Sequence, residues 1–254
     1  MQKIAVLMGT RQKSGNTVTL VRSFLDKLSK QDYSIEYIFP QDYKIEPCIG
    51  CNNCFINTQC IKKDDIPIIQ KKILEADLLV IASPVYLHYF TGELKMILDK
   101  CSWWAHTLRL QGKPVVIAST CSNNGNKTVM KALGEIMAFM GGNIIATVNA
   151  ALMPNQIYNE KWLEEVSIEI VNRIKKYINL PPQSNKDIEK CFIGTKYSIQ
   201  TQKELAQEPY NMELKEYQFW KESGMLEFNS FKEYLEEKYK KGEEEYESKV
   251  SATM

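Results

Sequence analysis

The sequence predicts an α/β fold: a doubly wound sheet of five parallel strands with a helical extension at its C-terminal end. Three observations carry this. Short apolar runs alternate with stretches of helical periodicity over about 180 residues. Polar loops follow the first, third and fourth of those runs. Pro181-Pro182 then ends the pattern, and the chain beyond changes character.

The elements follow in order. Ile4 to Met8 is a continuous apolar run, as in a strand buried on both faces. A polar loop, Gly9-Thr10-Arg11-Gln12-Lys13-Ser14-Gly15-Asn16-Thr17, leads into Val18, Val21, Phe24, Leu25 and Leu28 at helical spacing. A strand–loop–helix of this kind aims backbone N–H groups at an anion on the helix N-terminus. The loop is neither a P-loop nor G-x-G-x-x-G, and an ordinary strand–helix turn reads equally well at this point. Ser34 to Phe39 is the second strand. Asp64 and Asp65 stand as caps before Pro67, and Ile66, Ile69, Ile73 and Leu74 give the next helix its apolar face. Leu78 to Ala82 is the third strand, ending at Ser83-Pro84-Val85-Tyr86. Leu94, Ile97 and Leu98 mark a helix. Val115 to Ala118 is the fourth strand, ending in the loop from Ser119 to Gly125. Val129, Met130, Leu133, Ile136 and Met137 mark a helix that Gly141-Gly142 stops. Ile144 to Val148 is the fifth strand, and Trp162, Val166, Ile170, Val171 and Ile174 mark a closing helix.

Five strands with crossover helices suit the flavodoxin-like order 2-1-3-4-5. Ligands of that fold bind at the carboxyl ends of the strands near the switch point, where the loops after strands one, three and four open together. The domain spans residues 1–180. Residues 181–254 form the extension, whose aromatics Tyr217, Phe219, Trp220, Phe228, Phe231 and Tyr234 exceed what a disordered tail carries. Short helices are expected there, packed on the domain or on a second subunit and covering part of the site's mouth. Glu243-Glu244-Glu245 reads as a solvated helix face.

Composition narrows the function classes. The net charge of +1 points to no nucleic acid and no anionic membrane partner. Apolar runs all fall short of the ~18 residues of a membrane span, and the N-terminus reads as a strand rather than a signal peptide. A reducing, cytoplasmic location follows, in which clustered cysteines suit metal or redox chemistry better than disulfides.

Four of the seven cysteines, Cys48, Cys51, Cys54 and Cys60, fall in one C-x2-C-x2-C-x5-C run. Three thiols on a tight loop with a fourth nearby suit a 4Fe–4S cluster, although the last interval departs from the bacterial ferredoxin spacing. Zinc more often takes two separated C-x2-C pairs. Unloaded thiols are the third reading. Cys101 and Cys191 read as packing residues.

The loop from Gly9 to Thr17 resembles the G-S-P-R-x-x-G-N-T loop of the NADPH-dependent FMN reductase family. Ser83-Pro84-Val85-Tyr86 with Leu94-Lys95 and Asp99-Lys100 resembles that family's S-P-V-Y…L-K…D-R stretch, and the Cys48–Cys60 run followed by Asp64-Asp65 resembles its iron–sulfur flavoprotein subgroup. The resemblance spans roughly residues 1–178. It implies an FMN-binding redox protein, a homodimer or homotetramer, with a 4Fe–4S cluster near the flavin. By position, Thr10, Arg11, Ser14, Asn16 and Thr17 would hold the FMN phosphate. Pro84, Val85 and Tyr86 would border the isoalloxazine, with Thr120, Cys121, Ser122 and Gly125 on the other side. Three departures stand out: Thr10-Arg11 replaces S-P-R, the third loop lacks a glycine pair before Gly125, and Lys100 stands where Arg is usual.

Arg11 and Lys13 read either as phosphate contacts or as surface charges. Tyr86 reads as a ring neighbour or a core aromatic. His88 suits a loop or interface, or the flavin edge; His106, beside Trp103-Trp104, suits packing. No catalytic side chain is required, because the flavin carries the chemistry. A flavin beside a cluster converts two-electron into one-electron transfer, with NAD(P)H or a ferredoxin as donor or acceptor. A cluster-free NAD(P)H-dependent FMN, quinone or nitro reductase and a non-catalytic flavodoxin-like binding protein remain the alternatives.

Overall fold

A computed structural model describes residues 1–207 and 214–240, with the side chains of 203–207 left aside. The Glu243-Glu244-Glu245 run lies outside the described residues. The strands are β1 (Gln2–Met8), β2 (Tyr33–Ile38), β3 (Leu78–Pro84), β4 (Pro114–Cys121) and β5 (Asn143–Ala151). All pair in parallel, in the expected order β2-β1-β3-β4-β5. The helices are α1 (Asn16–Leu25), α2 (Asn53–Asn57), α3 (Ile66–Glu75), α4 (Gly92–Asp99), α5 (Trp103–Thr107), α6 (Asn126–Phe139), α7 (Glu160–Tyr177), α8 (Lys186–Gln207) and α9 (Lys215–Ser223).

Strand alternation divides the core. Ile4, Val6 and Met8 of β1, Leu78, Val80 and Ala82 of β3, and Val116 and Ala118 of β4 pack against α1 and α7. Their neighbours Ala5, Leu7, Leu79, Ile81, Val115 and Ile117 face the other way, against α3 to α6. A period of two sends successive side chains to opposite faces, so an unbroken apolar run requires cover on both. At the end of α6, Gly141 takes φ +80°, with Leu108 O only 2.8 Å from where a Cβ would stand. Only glycine fits that helix stop.

Two elements go beyond the sequence reading. The cysteine run contains a short helix, α2, and α5 follows α4 almost directly. Both are five residues long, too short for periodicity to reveal. Asp65 does stand at the N-cap of α3, but its side chain makes no cap bond. Its Oδ2 accepts from Lys44 N–H at 2.7 Å instead.

The extension corrects an expectation. Its described part is not made only of short helices, since α8 runs for 22 residues; it packs on the domain, one of the two expected placements. Ile188, Phe192, Ile199, Trp220, Met225, Phe231, Tyr234 and Leu235 form a third core that closes on Leu108. Trp220 Nε1–H donates to His106 O at 2.7 Å. Glu189 accepts from the N–H groups of Phe231 and Lys232, at 2.9 Å each, at the start of a helical run over 231–240. A carboxylate at a helix start meets both its unpaired donors and its dipole. α9 touches both α5 and α2, so the extension braces the cysteine helix.

The contact between extension and domain centres on Glu216, wholly buried, with Oε2 2.9 Å from His106 Nδ1. Burial pushes the Glu216 carboxyl above its ordinary value, and His106 works against that rise. A carboxyl with a raised folded pKa contributes stability in full below its unfolded value and loses it as pH rises through the folded value.

Two outcomes are expected. Trp220→Ala lowers unfolding free energy by about 3–5 kcal/mol in a denaturant titration; a change within experimental error would show that the third core is dispensable. Glu216→Gln, neutral at every pH, gains melting temperature relative to wild type as pH rises above the ordinary carboxyl range. Parallel pH profiles for the two proteins would refute the raised carboxyl.

Candidate functional site

Two cavities sit among the crossover loops. The first opens at the carboxyl ends of β1, β3 and β4. It is lined by Thr10, Gln12, Gly15, Asn16, Thr17, Pro84, Val85, Tyr86, Thr120, Cys121, Ser122 and Leu152, and measures about 160 Å³. Nine of the twelve residues expected for the flavin therefore converge on one cavity. The walls carry no charged side chain. Gly15 precedes α1 in extended conformation without a capping side chain, and the first turn of α1 holds no acidic residue. Uncapped N–H groups beside the hydroxyls of Thr10 and Thr17 form a neutral donor set that fits a phosphate dianion.

Tertiary hydrogen bonds hold these loops in register. The buried Thr17 and Thr120 hydroxyls lie 2.6 Å apart, joining the first loop to the third. Val85 N–H donates to Thr120 O at 2.8 Å, joining the second loop to the third. Thr91 caps α4 at Leu94 N–H and donates its hydroxyl to Gly9 O at 2.7 Å. Tyr158 OH reaches Asn16 Oδ1 at 3.2 Å. Sequence reasoning omitted Gln12, Gly15 and Leu152, and Leu152 in particular arrives from the end of β5, outside the three loops.

Arg11, Ser14 and Gly125 are not brought to this cavity. Arg11 Nε pairs with Glu93 Oε1 at 3.2 Å, and its side chain is mostly exposed. Lys13 pairs with Asp42 at 2.7 Å, in keeping with a surface role. Gly125 stands just behind the wall, where an added Cβ would lie 2.5 Å from Val85 Cγ1 and 3.1 Å from His88 Cα. It supports a tight turn in which Tyr86 and Tyr89 bridge while Leu87 and His88 take φ +47° and +63°. Non-glycine residues there are strained. Tyr86 is more than half exposed on the rim and Leu87 almost wholly so. His88 is exposed and is not among the lining residues.

The second cavity, about 60 Å³, is lined by all four cysteines of the run together with Phe55, Lys62, Asp99, Lys100 and Ser102. Gly50, Asn52 and Thr58 adopt positive φ, which bends the segment back on itself. Cys48 and Cys51 are exposed; Cys54 and Cys60 are half-buried. Gly50 N–H points to Cys48 Sγ at 3.5 Å. Among the described residues, no three His, Cys, Asp or Glu side chains gather closely enough for one metal ion. Burial pushes the Cys54 thiol up, the Ser102 hydroxyl works against it, and nearby Cys48 and Cys60 add to the rise. Cys101, behind the cavity, is wholly buried and pushed up to about 12, chiefly by burial, which leaves it a packing residue.

The segment is tied at both ends by Asp64. Its Oδ2 accepts from Glu46 N–H at 2.9 Å, its Oδ1 from Ile66 N–H at 3.3 Å, and it forms an ion pair with Lys100. Both side chains of that pair are inaccessible to solvent. Burial alone would raise the Asp64 pKa. The hydrogen bonds from Lys100, Glu46 and Ile66 outweigh it and hold the carboxyl below its ordinary range. Asp64 is thus a clamp rather than a simple helix cap. His106 packs its ring on Phe55, with centroids 4.7 Å apart, linking α2 to the extension.

A family model described as NADPH-dependent FMN reductase matches residues 2–156. The chain belongs to that family. It is a flavin-dependent oxidoreductase. Among its relatives, an iron-sulfur flavoprotein of Methanocaldococcus jannaschii is 32% identical over 133 residues, 52% of this chain and 69% of that protein. An iron-sulfur flavoprotein of Archaeoglobus fulgidus is 24% identical over 238 residues, 88% of this chain and 100% of that protein. The fold is shared with RosB, solved with a bound intermediate, at a TM-score of 0.55 and 16% identity over 84% of this chain and 91% of RosB. A flavone reductase has the same TM-score at 14% identity, over 70% of this chain and 64% of the other. Among the described residues, no helix is long and apolar enough to cross a membrane.

The Thr17–Thr120 pair yields a test of the first cavity. Thr17→Val keeps the shape and removes the hydroxyl. FMN affinity is expected to fall about tenfold, roughly 1.4 kcal/mol, in a fluorescence-quenching titration of the apoprotein. Unchanged affinity would mean that the pair does not shape the FMN site.

Proposed function

We propose that this oxidoreductase holds FMN in the first cavity and a 4Fe–4S cluster on Cys48, Cys51, Cys54 and Cys60, and that it exchanges electrons with NAD(P)H or a ferredoxin. The observation that carries the cluster is the gathering of all four thiols of one run around a single small cavity. Four thiolates are the ligand number of a 4Fe–4S centre. The names of the relatives support the same reading. FMN exchanges hydride or single electrons and a cluster single electrons only, so together they supply conversion between the two modes.

The chain's own residues bind, orient and shield. Thr10, Asn16, Thr17 and the N–H groups opening α1 would hold the phosphate as neutral donors. At about 160 Å³ the first cavity is well below the ~300–1,000 Å³ of enclosed small-molecule sites. A cavity of that size would take the phosphate and ribityl end, and the isoalloxazine would be bordered by Pro84, Val85 and Tyr86 and by Thr120, Cys121 and Ser122. An open rim with exposed Tyr86 and Leu87 favours completion by a second copy, as a homodimer or homotetramer. Pro84 removes one backbone donor beside the ring. The cysteine run leaves the carboxyl end of β2, which pairs with β1, whose loop forms the phosphate cavity. That adjacency supports exchange between the two centres. A cytoplasmic location suits oxygen-sensitive thiolate chemistry.

Anaerobically purified protein is expected to show flavin absorption with a broad visible shoulder, and about four iron and about four acid-labile sulfide per chain. Serine at any one of the four cysteines lowers the iron content and leaves flavin in place. Flavin without iron or sulfide would refute the cluster and leave a cluster-free reductase of quinones, nitro compounds or free flavin.

A further inference from the structure

Lys100 is the one residue of the second cavity whose charge is wholly buried and whose donors are mostly unassigned. Its side chain is inaccessible to solvent, yet it lines the same cavity as the four thiols. An ammonium carries three N–H donors. Among the described residues one of them has a partner, Asp64. The other cation at the cavity, Lys62, is partly exposed and held by Glu46 at 3.0 Å. Asp99, also in the lining, is paired with Lys95 and partly exposed.

A buried ion pair is a poor source of stability, because desolvation of both charges offsets their attraction. An apolar pair of similar volume would close this position as well. Asp64, moreover, is fully engaged: its two oxygens meet Lys100 and the N–H groups of Glu46 and Ile66. The carboxylate thus serves the chain, while the ammonium has donors without a partner among the described residues and its residue lines the cavity of the four cysteines. Four thiolates gathered on one small cavity repel one another, and a desolvated cation in the lining relieves that repulsion more than a solvent-screened one.

We infer that Lys100 is the resident cation of the cysteine cavity, offsetting the charge of the thiolates and of the anionic metal centre they hold, and that Asp64 is the positioning residue that fixes it there. This rests on the cluster reading above. One-electron reduction of such a centre adds a negative charge without a proton, so the ammonium favours the reduced state and raises the reduction potential. The usual Arg of the resemblance is then a second way of placing a cation at this point.

The test uses the full chain as wild type, Lys100→Met, Lys100→Arg and the double variant Asp64→Asn/Lys100→Met. Each is reconstituted anaerobically with ferrous iron and sulfide, desalted, and assayed for bound iron and sulfide. Iron loss to a chelator and the midpoint potential in a dithionite titration follow. Lys100→Met is expected to lose iron about tenfold faster and to reduce at a more negative potential, and Lys100→Arg to return both toward wild type. The double variant removes both charges and avoids an unpaired buried carboxylate; it is expected to melt cooperatively and to behave as Lys100→Met. Wild-type iron retention and potential in a folded variant lacking the ammonium would overturn the inference and leave the cluster standing. A wild-type chain that takes up no iron would overturn both.

Discussion

Parallel strands cannot be joined by tight turns, and this constraint organises the molecule. Each return must cross a face of the sheet, so the apolar runs of β1, β3 and β4 are covered on both sides, by α1 and α7 on one and by α3 to α6 on the other. The crossovers also place the loops after those three strands at one edge. Neither Thr10 and Thr17, nor Pro84 to Tyr86, nor Thr120 to Ser122 makes a site alone. They become one because the sheet's register aligns the ends of their strands and the Thr17–Thr120 and Val85–Thr120 bonds lock them together.

The second centre is built differently. The cysteine segment has little secondary structure, and its left-handed Asn52 and Thr58 cost conformational energy. What holds it is contact with its surroundings: Asp64 clamps its two ends to Lys100, Phe55 packs on His106, and the extension stands behind His106 through Glu216 and Trp220. The described part of the extension thus supports the cysteine helix. Charge separates the two centres as well. The first cavity has walls without a charged side chain, suited to a dianion held by dipoles. The cysteine cavity has cations in its wall, suited to an excess of thiolate charge.

Much of this was legible in the chain. The runs at Ile4–Met8, Leu78–Ala82 and Val115–Ala118 announce buried strands because no polar residue interrupts them, and their alternation with helical periodicity leads to the strand order. Nine of the twelve residues that the family resemblance singles out do line one cavity. Arg11 did not follow, since a one-residue offset in the loop sends its side chain to Glu93. Leu152 and Gln12 were hidden because neither carries a distinctive chemistry. The helices α2 and α5 were hidden because five residues give no measurable period.

The sequence by itself therefore determined the sheet, its order, the loops that line the first cavity and the four cysteines that share one run. Local patterning is enough for these, because burial on two faces and the spacing of thiols are written in neighbouring residues. Only the tertiary structure decided that Asp64 meets Lys100 across 36 residues, that His106 meets Glu216 across 110, and that the aromatic extension folds back onto its own domain. Such pairings depend on which surfaces the crossovers bring together, and nothing in the spacing of the residues encodes that distance.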